Sequence, residues 1–257
     1  MTQHSRYTFG DSALAGRRLA LVAEVFHDSS RAFLVSALRT GLDVVLDLGC
    51  GPGHTTRLVA QVVRPRLTVG LDVSGRFVSQ ARFTNDGAVS YEVHDVTSVP
   101  LPHAPADAIY VRLLLSHVPD PPAMVERWRS QLRLGSGMLL LDEVESIDAP
   151  PGVLRDYEDV AVAVVAHGGG PMYPGPSLVP FGGELVEVPV DAADAARMYG
   201  MNLAVWRGEA EAAGIATVAH LDHIADGLAS MAERPGDAPV CWVMRQVVVT
   251  AYDSQSS

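Results

Sequence analysis

The sequence predicts an α/β fold: a doubly wound, mostly parallel sheet of seven strands, preceded by helices and interrupted by an inserted lid. Three observations carry this prediction. A helical pattern precedes residue 42, short apolar runs then alternate with amphipathic segments, and a Pro/Gly-rich stretch breaks the alternation after Glu145. Strands that alternate with helices form right-handed βαβ units, which place the strands parallel to one another.

The N-terminal part of the chain has the periodicity of helices. Residues 13–39 are predicted to be helical because Leu14, Leu19 and Val22 recur at helical spacing, and the same spacing continues in the second half of the segment. We therefore expect residues 1–41 to form a helical cap that precedes the sheet.

Residues 42–145 have the pattern of the core of the sheet. Five apolar runs predict strands, and the amphipathic segments between them predict helices. Proline at the start of the last of these helices and Gly135 after its end are typical boundary signals. The predicted strands are "DVVLDL", "RLTVGLD", "VSYEVHD", "DAIYVRLLL" and "GMLLLDEVE", and the predicted helices are "TTRLVAQVV", "SGRFVSQARF" and "PPAMVERWRSQLRL".

The Pro/Gly-rich stretch covers residues 146–190 and is too long for a plain connection. Such insertions usually carry function, and "LRDYEDVAVAVVAHGG" within it is helical in pattern. Helical spacing resumes in "DAADAARMYGMNLAVWRGEAEAAG", so residues 146–205 are predicted to form a substrate lid. Two further strands are predicted at "IATVAHLDH" and "VCWVMRQVVVTAY", so that residues 206–257 complete the sheet of one domain, 1–257.

Composition excludes several classes of partner. The chain has 257 residues and contains arginine but no lysine. Its formal charge of −11 argues against binding to a nucleic-acid backbone, which needs a basic face. Two cysteines, Cys50 and Cys241, cannot staple a disulfide-rich scaffold, so a reducing compartment is expected. There is no apolar run of the ~20 residues that span a bilayer and no apolar signal core. We expect a cytoplasmic protein without membrane insertion.

The stretch "VVLDLGCGPGHTT" places a glycine-rich loop between a strand and a helix. Such a loop forms a ligand site at the carboxyl end of a sheet, because glycine allows a close approach of the backbone. Its glycines are Gly49, Gly51 and Gly53, a G-x-G-x-G spacing that differs from the G-x-G-x-x-G of dinucleotide sites.

Four landmarks in order resemble class I S-adenosylmethionine-dependent methyltransferases. They are "VLDLGCGPG", "VGLDVS", "VHDVTSVPLP" and "DAIYVRLLLSHVPDP", and "LRLGSGMLLLDEVE" resembles the helix-turn-strand that follows. The resemblance covers residues 43–145 and implies a Rossmann-like sheet that binds S-adenosyl-L-methionine. The opening "RYTFGDSALAGRRLALVAEVF" is similar to bacterial relatives of the ubiquinone/menaquinone methyltransferase group.

The resemblance also implies which residues bind the methyl donor. Asp72 would accept both ribose hydroxyls, and Asp95 would accept the adenine amino group. Cys50 is expected to fill the loop as a small side chain, since a reactive thiolate needs a basic neighbour. The predicted donor-binding loop and strand-end residues are Asp47, Gly49, Cys50, Gly51, Asp72, Val73, Asp95 and Val96.

Three further residues are candidates for the carboxylate of the donor. Arg112 lies within the fourth strand, where an unpaired buried guanidinium would be costly, so it should pair with an acid or with that carboxylate. Tyr7 and Arg18 lie on the N-terminal segment, which covers the cofactor in similar enzymes. Either could meet the same carboxylate or belong to an ordinary helix surface.

Three side chains are candidate catalytic groups. His117 ends the fourth strand and could take a proton from a hydroxyl or amine, or it could satisfy its own turn. Glu143, like Glu145, ends the fifth strand and is either an alternative base or a solvated strand end. His167 either projects from the lid into the pocket or lies at a helix end, where a histidine meets the negative end of the helix dipole.

The predicted function is transfer of a methyl group from S-adenosyl-L-methionine to an O, N or C nucleophile of a small molecule in secondary metabolism. A cyclase or isomerase that uses the same cofactor pocket is the alternative, because fold does not fix chemistry. Met198, Tyr199 and Trp206 are either helix core or an apolar wall for the substrate. "HLDH" at 220–223 lacks a third well-spaced ligand, so no metal is expected. A homodimer is left open.

Overall fold

The computed structural model describes residues 11–84, 87, 89–234 and 239–253. The N-terminal helices and the alternation of strands and helices follow the predicted order. In chain order the elements are α1 (Ala13–Val25), α2 (His27–Ala37), β1 (Val44–Leu48), α3 (His54–Val63), β2 (Leu67–Asp72), α4 (Gly75–Phe83), β3 (Ser90–Val93), β4 (Ala108–Arg112), α5 (Pro121–Arg129), β5 (Met138–Asp148), α6 (Val153–His167), β6 (Glu184–Val190), α7 (Ala192–Ala212), α8 (Val218–Glu233) and β7 (Val240–Thr250), with 3₁₀ turns at Leu115–His117 and Gly175–Phe181.

The seven strands form one sheet in the order β3-β2-β1-β4-β5-β7-β6. The pairs from β3 to β5 are parallel, and β7 is antiparallel to both of its neighbours. The chain direction across the sheet reverses between β1 and β4, which is where open α/β sheets collect ligands beyond their carboxyl ends. The fold is therefore the predicted Rossmann-like α/β sheet.

Helices cover both faces of the parallel part of the sheet. On one face α2 and α3 pack on Val45, Tyr110 and Leu140. On the other face α5 packs on Leu46 and its neighbours, with the indole of Trp128 fully buried. The alternation along β1 sends successive side chains to opposite layers, as a strand requires.

One predicted strand is wrong and another was missed. "IATVAHLDH" is not a strand, because Thr217 caps α8 and Leu221 is buried on a helical face. The sixth strand is instead β6, which lies inside the stretch predicted to be lid. β6 is an edge strand along which buried and exposed residues alternate. Gly183, directly before β6, lies close to β7, since a Cβ there would be 2.5 Å from the Gln246 carbonyl oxygen. Short apolar runs do not distinguish a strand from a helix segment, which explains the error.

The rest of the stretch 146–205 is ordered against the sheet. A third core cluster joins α6, α7 and α8 to the extended ends of β5, β6 and β7, and it includes Val22 and Phe26 at the end of α1. This cluster lies beyond the carboxyl end of β4, because β5 continues past the last β4 pair, Arg112 with Asp142, to its pairing with Trp242. Across the described residues, none of the helices combines the length and the apolar character that crossing a bilayer demands.

Candidate active site at the carboxyl edge of the sheet

The glycine loop after β1 has the backbone that its sequence predicts. Gly49, Gly51 and Gly53 all have positive φ, at 70°, 50° and 85°. A Cβ at Gly49 would lie 2.8 Å from Leu114 Cδ1, and one at Gly53 would lie 2.5 Å from the Tyr91 hydroxyl oxygen. These two glycines are therefore required by packing within the protein, whereas at Gly51 the nearest atom, of Leu19, is 3.4 Å away.

Asp72, at the carboxyl end of β2, is bonded to the glycine loop. One carboxylate oxygen accepts the Gly51 amide at 2.9 Å, and the other accepts the Ser74 amide at 2.8 Å. Burial raises the pKa of Asp72, and the two amide hydrogen bonds oppose the rise. A carboxylate has about four lone-pair sites, so both oxygens keep acceptor capacity for hydroxyl groups of a ligand.

Asp47 has a structural contact that the sequence did not predict. Its Oδ2 accepts the hydroxyls of Thr55 and Thr56, each at 2.6 Å, and so ties the end of β1 to the first turn of α3. Burial raises the pKa of Asp47 to about 6. The observed contacts of Asp47 are thus to α3.

Cys50 is buried within the loop, where its thiol contacts the Gly51 carbonyl oxygen. Burial, with the nearby charge of Asp47, raises the pKa of the Cys50 thiol well above its usual range. A thiolate is the nucleophilic form, so this environment suits packing and not nucleophilic chemistry.

The next strand ends supply the remaining residues predicted to bind the donor. Val73 is 56% exposed and presents an apolar side chain next to Asp72. Asp95 is exposed, and its Oδ1 accepts the amide and hydroxyl of Thr97. Val96 is buried, and its carbonyl accepts the Trp128 indole at 2.8 Å. Asp95 and Val96 therefore lie on a turn that α5 holds in place.

A cavity of about 270 Å³ lies between α1 and the first turn of α3. Arg112 enters it, and the guanidinium donates to Ser30 Oγ at 3.3 Å. Its register partner on β5 is Asp142, whose carboxylate is already bonded to Ser30, Tyr110 and Gln246. The cavity is lined by Ala20, Ala23, Glu24, His27, His54, Thr55, Leu58 and Arg112.

The other residues proposed for the donor carboxylate are differently placed. Arg18 is buried on α1, and its charge contributes to lowering the pKa of His117. His54 lines the cavity of Arg112, and burial lowers the pKa of His54 to about 4, so Arg112 is the charged member of that pair near neutral pH. Tyr7 lies outside the described residues.

The candidate bases occupy different environments. His117 ends the 3₁₀ turn after β4, and burial followed by the charge of Arg18 lowers its pKa to about 4. Glu143 is fully buried and accepts the amides of Leu114 and Leu115 at 2.9 and 3.1 Å. Burial raises the pKa of Glu143 to about 8, so near pH 7 it is mostly protonated. It is thus no solvated strand end.

His167 and Glu145 lie elsewhere. His167 is exposed in the last turn of α6. Glu145 forms a two-pronged ion pair with Arg245 at 2.7 and 3.0 Å, so its carboxylate is engaged by the neighbouring strand. His220 and Asp222 lie on α8 and not on a strand, and the described residues contain no group of three or more side chains that could hold a metal ion.

Sequence analysis missed a polar cluster inside the core under α1. Tyr157 and Tyr199 stack with ring centroids 4.1 Å apart, and the Tyr157 hydroxyl accepts Asn202 Nδ2 at 3.0 Å. Tyr173 donates to Glu158 Oε2 at 2.8 Å. The sequence signal that could have revealed this cluster is Tyr157 followed by the acidic Glu158 on the apolar face of α6. Periodicity alone assigns that face to ordinary core.

Residues 45–135 match the family model described as a methyltransferase domain. The matched part of the chain runs from β1 past α5. The chain is 31% identical over 106 residues to trans-aconitate 2-methyltransferase of Methylobacterium nodulans, covering 41% of this chain and 40% of that protein. It is also 31% identical over 116 residues to phosphoethanolamine N-methyltransferase 1 of Arabidopsis thaliana, covering 44% and 23%. The chain thus spans less than half the length of these curated relatives.

Solved structures share the whole fold. The YcgJ protein of Bacillus subtilis superposes with a TM-score of 0.58 at 16% identity, covering 89% of this chain and 100% of that one. Phosphoethanolamine N-methyltransferase 2 of Haemonchus contortus, solved with phosphomonomethylethanolamine and S-adenosylhomocysteine, gives a TM-score of 0.56 at 15% identity, covering 97% and 61%. The [4+2]-cyclase SpnF gives 0.51 at 15% identity, covering 88% and 82%, so one fold hosts different reactions.

Proposed function

We propose that this protein is an S-adenosylmethionine-dependent methyltransferase that acts on an O, N or C nucleophile of a small molecule. The observation that carries the proposal is Asp72, a half-buried carboxylate with remaining acceptor capacity, held by the glycine loop of the methyltransferase domain. Membership of the ubiquinone/menaquinone group remains a prediction from the N-terminal segment, and a place in secondary metabolism also remains a prediction.

The residues at the crevice fit the methyl donor. Asp72 would accept the ribose hydroxyls, the exposed side chain of Val73 would face the adenine, and Asp95 would accept its amino group. Arg112, whose guanidinium enters the 270 Å³ cavity, would meet the donor carboxylate. When bound, S-adenosylmethionine supplies a sulfonium methyl group that a nucleophile can displace.

The acceptor would lie beneath α1 and the lid, residues 146–205. His117 is neutral at physiological pH because its pKa is lowered to about 4, so it can accept a proton from the acceptor or orient it through a hydrogen bond. Close covering by helices would exclude water and align the nucleophile, which is what a direct displacement needs most.

The test measures donor binding and methyl transfer separately. S-adenosylhomocysteine should bind in calorimetry, and S-adenosylmethionine labelled in its methyl group should pass the label to members of an acceptor panel. Binding without label transfer to any acceptor, together with an unlabelled product of changed shape, would favour the cyclase or isomerase alternative. Absence of binding would contradict the proposal altogether.

A further inference from the structure

The polar cluster under α1 is unusual in its unsatisfied hydrogen-bonding atoms. It comprises Tyr157, Glu158, Tyr173, Tyr199, Asn202 and Trp206 and is called here the tyrosine–glutamate cluster. Among the described residues, the buried side-chain atoms without a hydrogen-bond partner include Glu158 Oε1, Asn202 Oδ1, the Tyr199 hydroxyl and the indole nitrogens of Trp206 and Trp242. Buried polar groups are nearly always bonded, so such a concentration requires an explanation.

Two of these atoms, Glu158 Oε1 and Asn202 Oδ1, are oxygen acceptors. The Tyr199 hydroxyl lies near Glu158 and opposes the rise in the pKa of Glu158. The Trp206 indole lies near Tyr157 and opposes the rise in the pKa of Tyr157. Neither the Tyr199 hydroxyl nor the Trp206 indole reaches hydrogen-bond geometry. Glu158 Oε1 and Asn202 Oδ1 can only accept, so a group that fills this place must donate.

Glu158 also lacks a cation within salt-bridge distance among the described residues. Its side chain is nearly fully buried, with 3% of the residue exposed, and burial raises its pKa. The charge that opposes the rise belongs to Arg155, which is exposed and bonds the Ala149 carbonyl oxygen. A buried carboxylate without a paired cation is costly, and a positively charged partner would remove most of that cost.

Aromatic side chains pack next to this carboxylate. The rings of Tyr157 and Tyr199 stack with centroids 4.1 Å apart, and the ring centroids of Tyr157 and Trp206 are 5.8 Å apart. The Tyr173 hydroxyl donates a hydrogen bond to Glu158. Aromatic faces attract cations most strongly when water is excluded. Tyr173 is the half-buried member of the cluster, so an incoming group would reach Glu158 from its side.

We propose that the tyrosine–glutamate cluster binds the acceptor and that the acceptor carries a protonated amine as its anchoring group, distinct from the nucleophile, whose N–H groups are accepted by Glu158 and Asn202 while aromatic faces hold its carbon substituents. This deepens the proposed function and rests on it. The cluster adjoins the candidate site, because the core that contains Tyr157 and Tyr199 also packs against Leu113, the residue directly after β4.

The experiment compares charged and neutral probes of the same shape, with the full chain saturated with S-adenosylhomocysteine. The pairs are N,N-dimethylethanolamine with 3-methylbutan-1-ol, and 2-phenylethylamine with 2-phenylethanol, and binding is followed by ligand-observed NMR titration. Each amine should bind about tenfold or more tightly than its neutral partner, and Glu158→Gln should abolish that preference. Glu209→Gln makes the same exchange on the exposed face of α7 and should leave it unchanged.

Equal binding of amines and alcohols, or a preference that survives in Glu158→Gln, would overturn the proposal. The glutamine has the shape of the glutamate and can still accept from Tyr173, and the affinity of each variant for S-adenosylhomocysteine reports its folding. If the wild type binds S-adenosylhomocysteine but shows no preference for amines, only the amine site is refuted. If the wild type does not bind S-adenosylhomocysteine, the proposed function is refuted.

Discussion

The glycine-loop side and the lid side of the crevice satisfy their buried polar groups in different ways. On the loop side, Asp47 accepts two threonine hydroxyls and Asp72 accepts two backbone amides. On the lid side, Glu158 and Asn202 each keep an oxygen without a partner. The buried Asp47 of the loop side is therefore satisfied within the protein and the half-buried Asp72 keeps acceptor capacity at the crevice, whereas the lid side keeps fully buried oxygens that a ligand can satisfy.

The difference in how buried polar groups are satisfied suits the ligand that we propose for each side. A donor of constant structure can be met by a site that the backbone fixes, and a side chain at Gly49 or Gly53 would clash with Leu114 or Tyr91. An acceptor must be admitted and released, which suits a site made of side chains on α6 and α7. Substitutions on the glycine-loop side and on the lid side can therefore be tested separately.

His117→Ala should lower turnover by about 10²–10⁴-fold, the usual scale of general-base assistance, with little change in affinity for S-adenosylhomocysteine. Because the pKa of His117 is lowered to about 4, the wild-type rate should rise with pH through about 4 and be flat near neutrality. The pH profile of kcat/KM checks this.

The matched control is His223→Ala, which removes an exposed histidine of α8. Its profile should coincide with that of the wild type. If the limb near pH 4 persists in His117→Ala, the titrating group is a different one, and His117 serves its turn only.

Glu143→Gln should change how stability depends on pH. The pKa of Glu143 is raised from 4.5 to about 8, so the folded state binds its proton more tightly than the unfolded state. Wild-type stability should therefore fall as pH rises between these values, by at most about 1.4 kcal/mol per pH unit, while glutamine removes this slope. Urea unfolding free energies at several pH values provide the measurement.

In that experiment the wild type should lose about 1–4 kcal/mol more than Glu143→Gln across the interval. Glu209→Gln, an exposed replacement, should show the wild-type slope. Parallel curves for wild type and Glu143→Gln would mean that Glu143 is ionised in the folded protein at neutral pH.

Asp72→Ala should weaken binding of S-adenosylhomocysteine by about 1–3 kcal/mol, the value of hydrogen bonds to a charged group. Calorimetry measures the change, and Asp28→Ala, an exposed carboxylate on α2, is the control. Unchanged affinity in Asp72→Ala would remove the ribose assignment, although some loss could come through the Gly51 amide that Asp72 holds.

The smallest expected effect is on the lid. We predict that ligands slow amide exchange in residues 146–190 more than in β4, because we propose that this Pro/Gly-rich stretch covers the acceptor. Hydrogen exchange with and without S-adenosylhomocysteine and an acceptor measures the difference. Equal protection in both states would make 146–190 a fixed part of the core.

Sequence analysis predicted the regular part of the fold well because its signals are local. The apolar runs before Asp47 and Asp72 correspond to β1 and β2, and Gly51 has the positive φ that its position in the loop implies. The same reasoning failed at residues 215–223, because a nine-residue apolar pattern fits either a strand or a helix until its packing partners are known.

The site was predictable only in part. The acids at the strand ends follow from sequence because parallel strands present their carboxyl ends at one edge. The environment of Glu143 did not follow: the sequence predicted a solvated strand end or a base, yet Glu143 is buried beneath the turn after β4 and bonded to Leu114 and Leu115. The burial of a charged group depends on what packs above it, which no local pattern encodes.

The sequence by itself determined the order of strands and helices from α1 to β5, the glycine loop and the acids at the strand ends, because these follow from periodicity and backbone conformation. Only the tertiary structure decided the protonation of Glu143 and His117, the bonding of Asp47 to α3, and the meeting of Tyr157, Glu158 and Tyr199 under α1. Desolvation and unsatisfied hydrogen-bonding capacity arise only when segments distant in the chain pack together.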